Sequence, residues 1–229
     1  MKKAIVLLSG GQDSTTCLAW AKQRFDCLAV SLNYGQRHAT ELEAAAKIAQ
    51  HFGVRHIIEY IPVLQSIGGS ALVDGAAALQ LDGGYADKEA PGGLPTSFVP
   101  GRNLLFLAVA GAVAVKHGAR HIVTGVCQTD YSGYPDCRVE FIDAMQVVLN
   151  AAMPSGCGPF EIHTPLMLLT KAETVKLARS LPGAWEALAL SITCYQGKHG
   201  GCGECGACDL RSKGFAAAGA GADPACASV

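Results

Sequence analysis

Charged residues are scarce in this chain of 229 residues. Asp, Glu, Lys and Arg make up only 16% of it, and 18 basic against 19 acidic side chains leave a formal charge of −1. A protein whose main business is wrapping a nucleic-acid backbone carries a basic patch and a high pI, so no nucleic-acid partner is expected beyond what a local patch would hold. Long apolar stretches are missing too. The longest, LLFLAVAGAVAV at 104–115, has twelve residues, against the about 20 that span a bilayer; it reads as a buried helix. The opening MKKAIVLLSGGQDS holds a six-residue apolar run that ends in glycines, short of the about 7–15 residues of a secretory leader. Cysteine is not dense enough for a disulfide scaffold: ten residues in 229 fall below the roughly 8–10% of such chains. With no export signal and no membrane partner expected, the default location is cytoplasmic. Thiols stay reduced there, and clustered cysteines more often hold metal than each other. No repeat at a period of about 20–50 residues is visible.

Half of the chain is hydrophobic, enough for one large domain or one domain with an appendage. Apolar runs predict strands at 3–8, 27–32, 55–61 (stopped by Pro62) and 121–126. Helical patterns between and after them predict helices at 15–24, 39–52, 104–117 and 139–152. In 39–52, Leu42, Ala45, Ile48, Ala49 and Phe52 fall at helical spacing, and Gly53 supplies the terminating glycine. Strand and helix in turn predict an α/β fold, a doubly wound parallel sheet covered on both faces. The pattern lapses at 66–95, rich in glycine and alanine, which reads as a long loop, either functional or disordered. The tail 216–229 is small-residue and low in complexity, and is predicted to fray.

Ser9-Gly10-Gly11-Gln12-Asp13-Ser14-Thr15 falls where a parallel sheet keeps its ligand, between a strand end and a helix start. Paired glycines let backbone N–H groups turn inward, and the helix terminus adds about half a positive charge, so the loop suits a phosphate or pyrophosphate. It lacks the Gly-Lys-Ser/Thr of a Walker A loop and the G-x-G-x-x-G dinucleotide spacing. Asp13 would repel a phosphate unless a cation lay between them, so its natural role is to hold Mg²⁺.

Near the other end, Cys194, Cys202, Cys205 and Cys208 give C-x7-C-x2-C-x2-C. Four thiolates gathered by short glycine-rich turns suit a closed tetrahedral Zn²⁺ site; an iron–sulfur cluster is the competitor, since four cysteines hold one as well. His199, inside the seven-residue spacer, reads as exposed, and Cys17 and Cys27 as small core residues. Two further segments are unusually polar. Arg102, in FVPGRN before the apolar helix, offers planar donors for a phosphate or carboxylate. The stretch 129–138 (TDYSGYPDCR) has Asp130, Tyr131, Tyr134, Asp136 and Arg138, which suit a flat heterocycle as well as a solvated turn; its place after a strand end, on the same sheet edge as Ser9 to Ser14, favours a site.

SGGQDST after an apolar strand resembles the pyrophosphate loop of the ATP pyrophosphatase (PP-loop) superfamily, whose adenine nucleotide alpha hydrolase-like fold it implies. FVPGRN, TDYSGYPDCR, TPL with LTKAE, and TCYQG with the cysteine ending narrow the resemblance to the 7-cyano-7-deazaguanine (preQ0) synthase family of queuosine biosynthesis. The likeness runs from Ala4 to about Phe215, with no motif to match at 66–95. It implies an ATP-dependent C–N ligase that converts 7-carboxy-7-deazaguanine and ammonia to the nitrile, with ATP, Mg²⁺ and one structural Zn²⁺. The nucleotide would lie on Leu8, Ser9, Gly10, Gly11, Gln12, Asp13, Ser14, Thr15, Thr16, Cys17 and Leu18. Asp13 and Lys171 would act catalytically, Lys171 as a further positive charge on the phosphates, although beside Glu173 it also reads as a solvated lysine. Arg102, Asp130, Tyr131, Tyr134, Asp136 and Arg138 would orient the deazaguanine, and Cys194, Cys202, Cys205 and Cys208 would hold zinc.

Three parts are thus expected: a nucleotide-binding body at 1–190, a zinc-binding segment at 191–215 and a flexible tail at 216–229. A superfamily enzyme of this size is commonly a homodimer, and free ammonium is the simplest nitrogen donor. Two rivals stand beside this reading. A PP-loop tRNA thiolation enzyme would need a sulfur-carrying cysteine and a tRNA surface; a zinc-dependent binding module would bind without turnover.

Overall fold

The computed structural model describes residues 1–36, 40–73, 94, 96–129, 133–154 and 159–226. Strands β1 (Lys3–Leu7), β2 (Asp26–Asn33), β3 (Arg55–Tyr60), β4 (His121–Val123) and β5 (Glu161–His163) form one sheet in the order β3-β2-β1-β4-β5. Each neighbouring pair is parallel. Side chains alternate across the sheet, and the sequence supplies an apolar residue on both sides. Ile5, Leu7, Leu28, Val30 and Ile122 join one core; Ala4, Val6, Ala29 and Val123 join the other. The first is covered by α3 (Val63–Ile67), α4 (Arg102–His117) and α5 (Val139–Ala152). The second is covered by α1 (Gln12–Lys22), α2 (Thr40–His51), α6 (Lys171–Ser180), α7 (Ala184–Leu188) and α8 (Gly206–Ala218). The doubly wound parallel sheet is the one expected. Its strand order reverses between β1 and β4, and that crevice, at the carboxyl ends of the strands, is where such a sheet binds ligand.

Several boundaries differ from expectation for physical reasons. Helix α1 begins three residues before the expected Thr15, because Gly11 serves as its N-cap; Gln12, Asp13 and Ser14 therefore form the helix's first turn. Strand β4 stops at Val123 rather than 126. Beyond it Gly125 passes so close to α1 that a Cβ would lie 3.2 Å from the Asp13 carbonyl carbon. Pro62 ends β3 but also caps the short α3, closed by Gly68 at φ +67. The apolar stretch at 104–115 is the body of α4, closed by left-handed Gly118. Among the described residues no helix is long and apolar enough to cross a membrane.

Of the segment 66–95, residues 74–93 and 95 lie outside the described residues, so the expectation of a functional or disordered loop falls there. Its flanks meet: Ala71 N–H donates to the Thr96 carbonyl at 3.0 Å. The tail departs from expectation. Residues 216–218 complete α8, and Asp223 then pairs with the buried Arg211 at 2.5 Å. Small side chains help here, since Ala220 and Ala225 are buried; packing extends to Ala225, Cys226 is exposed, and 227–229 lie outside the described residues.

Candidate active site

The loop after β1 is shaped by one glycine. Gly10 has φ +88, and a Cβ there would sit 2.2 Å from the Glu41 carbonyl oxygen and 2.9 Å from the Ala45 nitrogen. Only glycine lets the loop lie on α2 at that distance. Ser14 then ties the loop to itself: its Oγ accepts from Ser9 N–H at 3.2 Å and donates to the Gly11 carbonyl at 3.1 Å, with Ser9 Oγ at 3.0 Å. Gln12 N–H donates to Thr193 Oγ1 at 3.3 Å. In this loop two buried side-chain atoms have no partner among the described residues: Asp13 Oδ1 and Gln12 Nε2. Such atoms at a helix start mark a place for a ligand.

Asp13 Oδ2 is 2.6 Å from Lys171 Nζ. Lys171 is the first residue of α6, whose start is fixed by a capping box: Glu173 N–H donates to Thr170 Oγ1, and Thr170 N–H to Glu173 Oε2 at 2.8 Å. The Thr170 N–H and hydroxyl, both donating to Oε2, hold the exposed Glu173 carboxyl below its ordinary value. Glu173 is thus engaged by the cap, and Lys171 turns to Asp13 instead of standing as the solvated lysine that the sequence also allowed. Helix α8 packs against it; a Cβ on Gly214 would lie 2.9 Å from Lys171 Cβ.

A cavity of about 340 Å³ opens beside the loop, within the roughly 300–1,000 Å³ of small-molecule sites. Ser9, Gln12, Asp13, Ser14 and Lys171 line it, together with Tyr34, Glu41, Arg102, Tyr134, Cys137 and Tyr195. Burial works against the charge of Arg102, but Tyr34, Tyr134, Asp136 and Cys137 around it more than offset that and raise its pKa. Burial pushes the Glu41 carboxyl up to about 7, with Arg102 pulling the other way. Burial also raises the Tyr34 phenol, which is hydrogen-bonded to Arg102, while Tyr134 Oη lies 2.7 Å from Ser97 Oγ.

Not every expected residue reaches this cavity. Of 8–18, Leu8, Ser9, Gln12, Asp13 and Ser14 line it, and Gly10 and Gly11 shape the loop. Thr15 and Thr16 donate back to the Gly11 and Gln12 carbonyls at 2.8 and 2.9 Å, and Cys17 and Leu18 lie in the core. Arg102 and Tyr134 do line it. Asp136 is turned to the start of α4, where its Oδ2 accepts from Asn103 N–H at 3.3 Å. Arg138 is exposed at the N-cap of α5. Asp130 and Tyr131 lie outside the described residues.

Several residues near the cavity escaped sequence reasoning. Tyr34 follows the end of β2 on the same sheet edge as the loop, and that position was the available signal. Glu41, in the first turn of α2, carried none. Nor did Arg211, which donates to Thr193 Oγ1 at 2.9 Å and Ser191 Oγ at 2.8 Å. Since Thr193 accepts from Gln12 N–H, α8 is linked to the loop through two hydrogen bonds.

The four cysteines converge. The thiols of Cys194, Cys202, Cys205 and Cys208 all lie within 4.8 Å of one another, a group that can hold a metal ion. Cys205 and Cys208 Sγ are 3.4 Å apart, and that hydrogen bond draws the Cys205 thiol down while pushing that of Cys208 up, so the two share one proton. Backbone N–H groups of Glu204 and Cys205 point at Cys202 Sγ at 3.4 and 3.3 Å, and that of Gln196 at Cys194 Sγ at 3.4 Å. A sulfur that ligates a metal carries negative charge, and N–H donors so placed complement it. His199 is exposed, as expected, with Nε2 3.0 Å from the Ala189 carbonyl oxygen. Cys17 is buried, which raises its thiol well above the usual range, and burial lifts Cys27 to about 11; neither is a thiolate. Every described cysteine is free of disulfide.

The family model described as "Queuosine biosynthesis protein QueC" matches residues 3–219. The 7-cyano-7-deazaguanine synthase of Chromobacterium violaceum is 54% identical over 221 residues, covering 95% of this chain and 91% of that protein. The enzyme of the same name from Laribacter hongkongensis is 53% identical over 217 residues, with 94% and 91% covered. That of Lysinibacillus sphaericus is 49% identical over 216 residues, with 93% and 94% covered. By the family model over most of its length and by these relatives, the chain belongs to the QueC family of queuosine biosynthesis.

Proposed function

We propose that this chain is a 7-cyano-7-deazaguanine synthase, an ATP-dependent ligase that turns 7-carboxy-7-deazaguanine and ammonia into the nitrile. One observation carries the reading: the Asp13–Lys171 pair, with Asp13 Oδ1 buried and without a protein partner, opens into the same cavity as Arg102 and Glu41. A carboxylate is a poor electrophile, and ammonia does not displace oxide from it in neutral water. When bound, ATP supplies the leaving group that the carboxylate oxygen lacks, and Mg²⁺ balances the charge on its phosphates. The chain's own part is positional and electrostatic. The first turn of α1 and the Ser9 and Ser14 hydroxyls would hold the phosphates, Asp13 would offer its unpartnered oxygen to the cation, and Lys171 would add positive charge. Arg102 suits the substrate carboxylate, Tyr34, Tyr134 and Tyr195 suit the flat ring, and Glu41 suits its amine edge. Ammonia attack gives the amide, and a second activation, now of the amide oxygen, allows elimination to the nitrile in the same site.

The cysteine cluster holds one structural Zn²⁺ in this reading. Its contribution is to fix 191–215 against the 1–190 body, through α8 on Lys171 and through Arg211 and Thr193 on the loop. The family assignment favours the synthase over tRNA thiolation, and a lined cavity beside the loop favours turnover over a binding module. The protein is inferred to act in the cytoplasm as a homodimer on small molecules, without nucleic acid; light scattering after size exclusion tests the dimer. Turnover is the test of the function. Purified protein with ATP, Mg²⁺, ammonium and 7-carboxy-7-deazaguanine is expected to yield the nitrile and AMP, and ATP-independent binding alone would refute it.

A further inference from the structure

Two histidines and a glutamate that the proposed reaction does not use meet on the β4–β5 side of the sheet. His121 opens β4, Glu161 opens β5 directly opposite, and His163 follows two residues later. Alternation along a strand puts the side chains of 161 and 163 on one face, with that of 121 beside them. His121 Nδ1 is 3.0 Å from His163 Nε2 and 3.3 Å from Glu161 Oε2, and Glu161 Oε2 is 3.7 Å from His163 Nε2. Imidazole nitrogen and carboxylate oxygen sit about 2.0–2.2 Å from zinc, which places two ligands of one ion about 3.0 Å apart at a right angle and about 3.4 Å apart at the tetrahedral angle. The observed triangle spans those separations. A single ring proton serves at most two of its three edges, whereas a divalent cation serves all three corners.

The surroundings suit an ion as well. Phe25 stacks on His121 with ring centroids 4.8 Å apart, and the Trp20 ring is 6.0 Å from His163. These rings close the inner side. Glu161, with its side chain 54% exposed, leaves the outer side open to water, which can complete the coordination.

We propose that His121, Glu161 and His163 form a second metal site, separate from the cysteine cluster, for a divalent ion of zinc's class with its remaining positions filled by water. Two imidazoles and one carboxylate select such ions over calcium or magnesium, which prefer all-oxygen shells. Because its ligands come from both strands, the ion clamps β5 to β4 across a ladder only three residues long.

The test uses the full chain with its cysteine-bound metal, desalted to remove loosely held ions. It is titrated with Zn²⁺ by calorimetry and with Co²⁺ by absorption and tryptophan fluorescence. One further equivalent is expected, with Co²⁺ bands that lack thiolate charge transfer. Quenching is expected to persist in Trp185→Phe, where Trp20 is the remaining tryptophan. His163→Gln is expected to abolish the further equivalent and Glu161→Gln, at an exposed position, to weaken it about tenfold or more. Absence of the further equivalent in the wild type, thiolate bands in its Co²⁺ spectrum, or uptake unchanged in both variants would overturn the proposal. None of these readouts depends on catalytic activity.

Discussion

Lys171 Nζ lies 2.6 Å from Asp13 Oδ2, joining the first residue of α6 to the first turn of α1 across 158 positions of sequence. The pair sets opposite charges at the mouth of the loop, and Asp13 keeps a second, buried oxygen that no protein group uses. Substituting Asp13 by Asn removes the charge while preserving shape. The variant is expected to fold and to lose ATP-dependent turnover by about 100-fold or more, the scale of removing one preorganised electrostatic group. Turnover near that of the wild type at saturating Mg²⁺ would contradict the metal-holding role.

Gly10 tests the loop itself. Alanine there must place its Cβ 2.2 Å from the Glu41 carbonyl oxygen at a positive φ. Backbone cannot swing aside as a side chain can, so Gly10→Ala is expected to lower stability by about 2–4 kcal/mol, combining overpacking with left-handed strain. Urea unfolding measures it. Gly53→Ala is the control, since a Cβ there has a similar φ, +62, but no atom within 4 Å. Equal losses at the two positions would show that the loop does not rest on α2.

Zinc is tested by Cys205→Ser, in which a buried thiol of the cluster becomes a poor ligand. Bound zinc per chain is expected to fall by at least about half, with a lowered thermal midpoint, because metal binding in a closed site contributes directly to folding. Elemental analysis of the wild type showing iron and labile sulfide in place of zinc would overturn the assignment.

Glu41 makes stability depend on pH. Its folded pKa, about 7, lies above the ordinary 4.5, so the folded state holds this proton more tightly than the unfolded state does. The stabilisation is therefore complete below about 4.5 and is lost as pH rises through about 7. Between pH 4.5 and 8 the ligand-free wild type is expected to lose about 1–3 kcal/mol that Glu41→Gln does not lose. Parallel pH profiles for the two proteins would contradict the burial of this carboxyl beside Arg102.

The sequence disclosed the loop, the cysteine cluster and most of the sheet because each has a local signature. Glycines with hydroxyls, regular cysteine spacing and apolar runs of six or seven residues all survive without tertiary knowledge. Strand β5 has three residues, too few to display alternation, and α8 is so rich in glycine and alanine that it carries little periodicity. In 129–138 composition could not tell which polar side chains turn inward. Tyr134 does, whereas Asp136 is taken up by the start of α4 and Arg138 faces solvent. Arg211 was illegible for another reason: its partners Ser191, Thr193 and Asp223 become neighbours only once the chain folds back.

The most direct measurement is mass spectrometry of the product formed from 7-carboxy-7-deazaguanine, ATP and Mg²⁺ with ¹⁵N-labelled ammonium. The account predicts 7-cyano-7-deazaguanine heavier by one mass unit, with the label in the nitrile, and its loss in Asp13→Asn. Unchanged acid after ATP has been supplied, or a nitrile formed equally well without ATP, would contradict it.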